Sequence, residues 1–519
     1  MKNLNRLLLF SFILAFTFAS CDSVTDIQQP GNLPADQAFE KVEDLELSLS
    51  GLYANVDIYD QVYINSVRTD EITIGPGNGG QGLGGQYQFV LNTTSATSTV
   101  WTSGYSSIDE INRFINGAQN VQPKSSQQAA YDDYLGQAYA MRAFEHFKLL
   151  SFYSEDITDN SSLGVIVSTE VQDQDVKPTR NTTGETFSQI LDDIQSAENL
   201  INNASASGGD ITRFTPAALT ALKARIATYR KNYARAESLA TEVINNSGIS
   251  LATGTVSGGN LTGTYSPMFG SDSPGEVIFK LERTLADPYD QQANVGTPAG
   301  SGYIGNVYAQ VAFYSGAHYT VEAALANLYS AGDIRFYTNL FSNANLPASV
   351  QADEPHDFVY KYSGNVSGED TPLLNDQKVF RLSEMYLIRA EARAGKSSPD
   401  LNGAAQDIQT IRAERSLSNS APLPSYANQQ QAFADILTER RKELAFEGHR
   451  WFDLRRMGPT ANAEIDRDET VTGIRGCSNY SACDGPVPGQ SHKYVLPIPQ
   501  SELNANPNIQ QNPGYGGGS

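Results

Sequence analysis

The stretch Gln431–Arg456 reads QAFADILTERRKELAFEGHRWFDLRR. Phe433, Ile436, Leu437, Arg440 and Leu444 recur at the spacing of one helix face, so that face is expected to dock on a core. Glu439, Glu443 and Glu447 fall four apart along a single stripe. Arg440 stands three before Glu443, and Glu447 three before Arg450, spacings at which side chains pair on a helix. Gly448 loosens the helix, and Trp451 and Phe452 supply an apolar plug before Asp453 and Arg455. Apolar bulk mixed so densely with alternating charge predicts an ion-pair network held against packed helices.

Upstream of it, Thr215–Gly248 reads as two helices joined at Lys231-Asn232, with Pro216 opening the first and Gly248 stopping the second. Alanines at 217, 218, 221, 224, 227, 234, 236 and 240 allow close approach, and Leu219, Leu222, Ile226 and Tyr229 form the packing stripe. At 34 residues this segment matches a tetratricopeptide hairpin, and Phe380–Ala413 repeats its length and logic. Further helices are expected over Ala35–Tyr59, Trp101–Val121, Gln127–Tyr153 and Thr183–Asn202. Between the hairpins, Ser250–Gly316 is rich in Gly, Ser, Thr, Asn and Tyr, with short strands expected at Glu276–Leu281 and Phe358–Tyr362.

Three stretches in order carry a resemblance to one family. LTERRKELAFEGHRWFDLRRM (Leu437–Met457), FRLSEMYLIRAEARA (Phe380–Ala394) and YVLPIPQSELNANPNIQQNPGY (Tyr494–Tyr515) resemble the signature segments of SusD/RagB proteins. These are outer-membrane nutrient-binding lipoproteins that work with a TonB-dependent transporter. Gly332-Asp333-Ile334-Arg335 and Lys361-Tyr362 resemble shorter landmarks, so the likeness spans nearly the whole mature chain. It implies a mostly α SusD-like fold, in which irregular tetratricopeptide-type hairpins pack against a loop-rich half with a few short strands. The expected division is a signal peptide (1–20), a lipidated tether (21–34) and one body (35–519). Within the body, helical elements fall at about 35–248 and 379–456, the loop-rich ligand-facing region at about 249–378, and a proline-rich tail at 457–519.

Composition agrees with an exported binding protein. The 519 residues are 40% hydrophobic and 10% aromatic, and the net charge of −22 argues against nucleic acid and against adhesion to anionic lipid. Lys2 and Arg6 precede an apolar run, Leu7–Ala19, too short to span a bilayer, and Phe18-Ala19-Ser20-Cys21 resembles a lipobox. Acylation of Cys21 would anchor the chain to the outer membrane facing the exterior, without a membrane helix. Cys477 and Cys483, six apart in a Gly/Ser/Pro loop, favour a disulfide clip over free thiols or a metal site.

Catalytic patterns are sparse. Gly80-Gln81-Gly82-Leu83-Gly84-Gly85 satisfies GxGxxG, but Ile72–Pro76 reads as a poor preceding strand and Tyr87–Val90 opens no helix. The histidines at 146, 318, 356, 449 and 492 form no HExxH, and no GxSxG elbow is present. Carboxylate pairs (Asp70/Glu71, Asp132/Asp133, Asp192/Asp193, Glu443/Glu447) mostly sit beside arginine or solvent, whereas a glycosidase needs one carboxyl raised by an apolar wall. No cofactor is expected; an acidic loop could hold structural calcium, although no EF-hand pattern occurs.

Tyrosine joins a flat apolar face to a phenolic hydroxyl, which suits sugar C–H faces and hydroxyls. Tyr87, Tyr289, Tyr303, Tyr308, Tyr314 and Tyr319 are therefore the candidate ligand contacts. Asp70 joins them because it ends a helix beside the glycine loop and because of the geometry the resemblance implies. Trp101 and Trp451 are assigned to the core. The resemblance implies capture of a glycan or oligosaccharide and delivery to a SusC-like, TonB-dependent transporter. The alternatives are peptide capture within the same family, a surface glycoside hydrolase, and a tetratricopeptide scaffold without nutrient.

Overall fold

The computed structural model describes residues 39–516 except 76–77, 79–85, 94–97, 174, 202–208, 258–259, 285–303, 309–317, 343–356, 363–373, 471–476 and 481–482. Its long helices are α1 (Val42–Asn55), α2 (Tyr59–Val67), α3 (Ser98–Ala118), α4 (Gln128–Tyr153), α5 (Thr183–Ile201), α6 (Pro216–Tyr229) and α7 (Tyr233–Asn246). After the loop-rich segment come α8 (Leu382–Gly395), α9 (Leu401–Glu414), α10 (Gln429–Glu443) and α11 (Arg450–Ala461). No described helix is long and apolar enough to cross a membrane.

The α6–α7 hairpin follows its local signals. Thr215 Oγ1 accepts from the Ala218 amide, with Pro216 at the first helical position, and Asn232 Oδ1 accepts from the Arg235 amide to start α7. Lys231 makes the turn with φ +54°, and Gly248, at φ +71°, follows the end of α7. α7 packs on α8, α8 on α9, and α8 again on α10, so the two hairpins stack. Gly395 permits that stacking, because a Cβ there would fall 2.4 Å from the Tyr233 ring. The second hairpin starts later than expected: Phe380 and Arg381 belong to a strand, and α8 begins at Leu382. On the other side, α4 packs between α3 and α5.

Two expected helices are broken, both by tertiary contacts. Ala35–Tyr59 is interrupted after Asn55 (residues 35–38 lie outside the described set), and a separate helix, α2, follows. The backbone groups released at the break are taken up elsewhere: the Ile58 amide donates to Gln377 Oε1 at 2.9 Å, and Val56 O accepts from Arg283. Likewise Gln431–Arg456 is two helices, because Phe446 at φ +66° and Gly448 at φ +81° reverse the chain between α10 and α11.

Among the described residues there are four two-stranded antiparallel ribbons: β2 (Gly254–Ser257) with β3 (Asn260–Gly263) is local, while β1 (Ile72–Ile74) with β5 (Tyr319–Val321), β4 (Val277–Leu281) with β8 (Gln377–Arg381), and β6 (Leu340–Ser342) with β7 (Asp357–Val359) join segments farther apart in sequence. Leu281 pairs with Gln377, so the excursion 282–376 leaves and returns at one ribbon. Ile74 pairs with Tyr319, so the segments after β1 and before β5 start from the same end of another. The proline-rich tail crosses back over the helices: the Leu496 amide donates to Phe152 O at 2.9 Å, and Asn512 Nδ2 to Tyr153 O at 3.1 Å.

Candidate functional site

The Arg/Glu stretches form a closed ionic knot inside the molecule. Glu443 accepts from Arg335 at 3.1 Å, Arg381 at 3.0 Å and Arg415 at 2.8 Å. Glu439 accepts from Arg335 and Arg412, each at 2.7 Å. Glu447 accepts from Lys361 at 2.6 Å and Arg381 at 2.7 Å, and Glu276 on β4's edge accepts from Arg415 at 2.8 Å. The pairing expected three residues apart does not occur: Arg440 reaches Asp453 at 2.7 Å, and Arg450 reaches Asp70. On α10 Glu443 is taken by Arg335, Arg381 and Arg415 while Arg440 is taken by Asp453, and the turn at Phe446 and Gly448 separates Glu447 from Arg450.

The chemical state of the knot follows. Burial alone would raise the Glu447 carboxyl, but Arg381 and Lys361 outweigh it and hold it down to about 2. Glu443 is likewise held well below the usual carboxylate range, its burial overcome by Arg415, Arg381 and Arg335. Such groups stay ionised and cannot donate a proton to a leaving group near neutral pH.

Asp70 belongs to the same frame. It is fully buried, receives both arms of Arg450 at 2.8 Å, and takes the Asp466 amide at 2.9 Å. Burial favours its neutral form, yet Arg441 and Arg450 prevail and keep it ionised. Asp70, expected as a polar ligand contact, is placed in the interior, where the arginines of α10 and α11 hold it.

The described tyrosines are also interior. Tyr87 is fully buried under the Arg467 guanidinium, 3.9 Å from its ring centre. Tyr308 bonds Ser66 Oγ at 3.0 Å, donates to Phe446 O at 3.3 Å and stacks on Tyr362. Tyr319 lies in β5 with 1% of its surface exposed. These three thus stand at the roots of segments outside the described residues: Tyr87 follows 79–85, Tyr308 precedes 309–317 and Tyr319 comes just after it. Expected as ligand contacts, they are placed here as buried anchors, a role tyrosine fills equally well when its ring packs and its hydroxyl finds a partner. Tyr289, Tyr303 and Tyr314, like Cys21 and the Gly80–Gly85 motif, lie outside the described residues.

Around these roots the structure is tightly pinned. The Gly75 amide donates to His318 O at 2.8 Å, and Asn78 Nδ2 donates to the same oxygen at 3.1 Å. Arg467 donates to Thr69 O, Val67 O and Tyr87 O at 2.9–3.1 Å, closing the end of α2. Two carboxylates here behave oppositely to those of the knot. Burial pushes Glu71 up to about 7, although Ser66 and the Phe446 amide bond to it, and burial also pushes Glu322 up to about 7.

Ile72–Ile74, expected to be a poor strand, does pair, but antiparallel to β5, and among the described residues no long helix opens between it and Ser98. That is not the strand–loop–helix of a dinucleotide site. Cys477 and Cys483 are bonded to each other, with Cα atoms 4.9 Å apart. Among the described residues no group of three or more His, Cys, Asp or Glu could hold a metal.

Among the described residues of this half, one aromatic ring is exposed. Tyr360, 36% exposed, lies between β7 and the segment 363–373. Placing Phe358–Tyr362 in a strand hid it; the strand ends at Val359, and the Tyr360 amide instead reaches Asn339 O at 2.9 Å. The half-buried Phe336 and Tyr337 lie on the helical turn that leads to Asn339, their rings 5.3 Å apart.

Residues 357–515 match the family described as the SusD family, and residues 22–228 match one described as starch-binding associating with outer membrane. SusD-like protein P38 of Formosa agariphila is 26% identical over 511 residues, covering 86% of this chain and 92% of that protein. The crystal structure of a SusD superfamily protein from Bacteroides thetaiotaomicron superposes with a TM-score of 0.72 at 26% identity, covering 91% of this chain and all (100%) of that one. A laminarin-binding SusD-like protein shares the fold with a TM-score of 0.65 at 22% identity, covering 92% of this chain and 100% of that one.

Proposed function

The chain belongs to the SusD/RagB family, and from that premise we propose that it captures a glycan or oligosaccharide at the cell surface and hands it to a SusC-like, TonB-dependent transporter. The observation that carries this reading is the rooting of the loop-rich half. Arg467 holds the carbonyls of Val67, Thr69 and Tyr87, the Gly75 amide holds His318 O, and Tyr308 holds Phe446 O in the turn between α10 and α11. A base held in place before ligand arrives lowers the entropy cost of binding, which suits recognition of a flexible polysaccharide. The description of the family matched at 22–228 and the laminarin-binding neighbour support carbohydrate as the ligand class.

In this reading the chain binds and does not cleave. A glycosidase places two carboxyls on either side of the bond, one of them protonated. The carboxylates of the knot are clamped by arginine, and Glu71 and Glu322, whose burial raises them, are 1–2% exposed. Cys21 carries the lipid anchor on the outer membrane, and the segment to Pro34 is the tether.

Affinity electrophoresis through gels cast with starch or laminarin tests the proposal. The protein should be retarded by at least one, release no reducing sugar, and lose retardation severalfold in Tyr360→Ala with its unfolding midpoint unchanged. Migration equal to a non-binding control in gels cast with a broad set of polysaccharides would sink it.

A further inference from the structure

The charges of the loop-rich half narrow the ligand class. Between residues 249 and 378 the chain carries five cations, Lys280, Arg283, Arg335, Lys361 and Lys378, against thirteen acids. Each of the five cations is 8% exposed or less, and each is engaged in the interior. Lys280 meets Asp376 at 2.6 Å, and Lys378 meets Asp272. Arg335 meets Glu439 at 2.7 Å, and Lys361 meets Glu447 at 2.6 Å. Arg283 donates to Tyr53 O at 3.2 Å and to Val56 O. Lys442, which reaches this half from α10, is paired with Asp333 at 3.1 Å.

The acids are distributed differently. Asp272, Glu276, Glu322, Asp333 and Asp376 are buried, but Glu282 is exposed and Asp357 half-buried. The other six acids, and no further Lys or Arg, belong to segments outside the described residues. Segment 75–97, which Gly75 ties to His318 O at 2.8 Å, has no charged side chain in its sequence. A uronate or sulfate is held by charge-assisted hydrogen bonds from Arg or Lys, and desolvating it without them is costly. Freeing Lys361 or Arg335 for that task would leave a buried carboxylate unpaired, which is strongly destabilising. At a distance, the net charge of −22 repels a polyanion. Sugar hydroxyls make no such demand, because Asn, Ser, Thr, Tyr and backbone groups satisfy them.

We propose that the captured glycan is uncharged: the loop-rich half takes neutral polysaccharides and rejects uronate-rich and sulfated ones. This rests on the reading of the chain as a glycan receptor and adds the chemical class of its ligand. The selection is by exclusion. The cations that would recognise an acidic sugar are the same ones that tie this half to the ionic knot, so holding the fold together and binding a polyanion compete for them.

Affinity gels of the full-length chain in detergent test this with two panels. The neutral panel is starch, laminarin, galactomannan and hydroxyethylcellulose; the anionic panel is alginate, polygalacturonate, carrageenan and carboxymethylcellulose. At least one neutral polymer should retard the protein and no anionic one should. For the polymer that retards it, hydroxyethyl and carboxymethyl derivatives carry substituents of similar size and differ in charge. The carboxymethyl form should bind about tenfold more weakly or worse than the hydroxyethyl form. Calorimetry with an oligosaccharide of the retarding polymer should give a Kd that shifts less than about twofold between about 0.05 and 0.5 M sodium chloride, because no ion pair to ligand is screened. Retardation by anionic polymers alone, equal binding of the two derivatives, or a Kd that weakens about tenfold with salt overturns the inference and leaves glycan capture standing. Retardation by no polymer of either panel removes the capture reading, and this inference falls with it.

Discussion

The ionic knot and the loop roots are both buried and both built around glutamates, yet they hold them in opposite states. In the knot each carboxylate meets two or more cations, so Glu443 and Glu447 remain charged in a dry interior. At the roots Glu71 meets only a hydroxyl and an amide, while Glu322 takes the Asp468 amide, and burial lifts both to about 7. The knot is a frame that no ordinary pH loosens. The roots are fixed by hydrogen bonds and rings, and they hold two acids that burial brings toward neutrality.

The comparison can be broken most severely at Glu443. Replacing it by alanine leaves Arg335, Arg381 and Arg415 short of an acceptor in a buried site. The expected loss is about 3–5 kcal/mol or more, read by urea unfolding or as failure to accumulate folded protein. A loss below about 1 kcal/mol would mean that the knot is not the frame.

Asp70→Asn sharpens the boundary between the regions. It should cost about 3 kcal/mol through Arg450, while gel retardation by polysaccharide persists wherever the protein is folded. Lost retardation at intact stability would return Asp70 to the ligand surface.

The smallest effect is in pH. A glutamate raised in the folded state contributes stability fully present below its unfolded pKa and lost as pH rises through the folded value. Glu71 and Glu322 should therefore each remove up to about 3 kcal/mol between pH roughly 4.5 and 7. Glu447, depressed to about 2, works the other way: its contribution is present above pH roughly 4.5 and fades as pH falls toward 2. Glu71→Gln should remove about half of the neutral limb, leaving the Glu322 share, and should leave the acid limb alone; a neutral limb that keeps its full slope would show that Glu71 is ionised throughout.

Much of the helical half was legible beforehand. Thr215, Pro216 and Gly248 stand where the α6–α7 hairpin begins and ends, and Val277–Leu281 is the strand its residues suggest. The candidate site was less so. Tyr87, Tyr308 and Tyr319 have the composition of contacts and the placement of anchors, and Tyr360 stood inside an expected strand. Nothing in a tyrosine's immediate neighbours says which side of a loop root it faces.

Periodicity, caps and alanine spacing act over three or four residues, so helices, hairpins and the family resemblance could be read from the chain alone. Which charge meets which could not. Arg450 passes over Glu447 for Asp70, 380 positions away, because the turn at Phe446 and Gly448 redirects α11. A buried cation takes whichever anion the folded backbone brings within about 3 Å, and packing sets that distance.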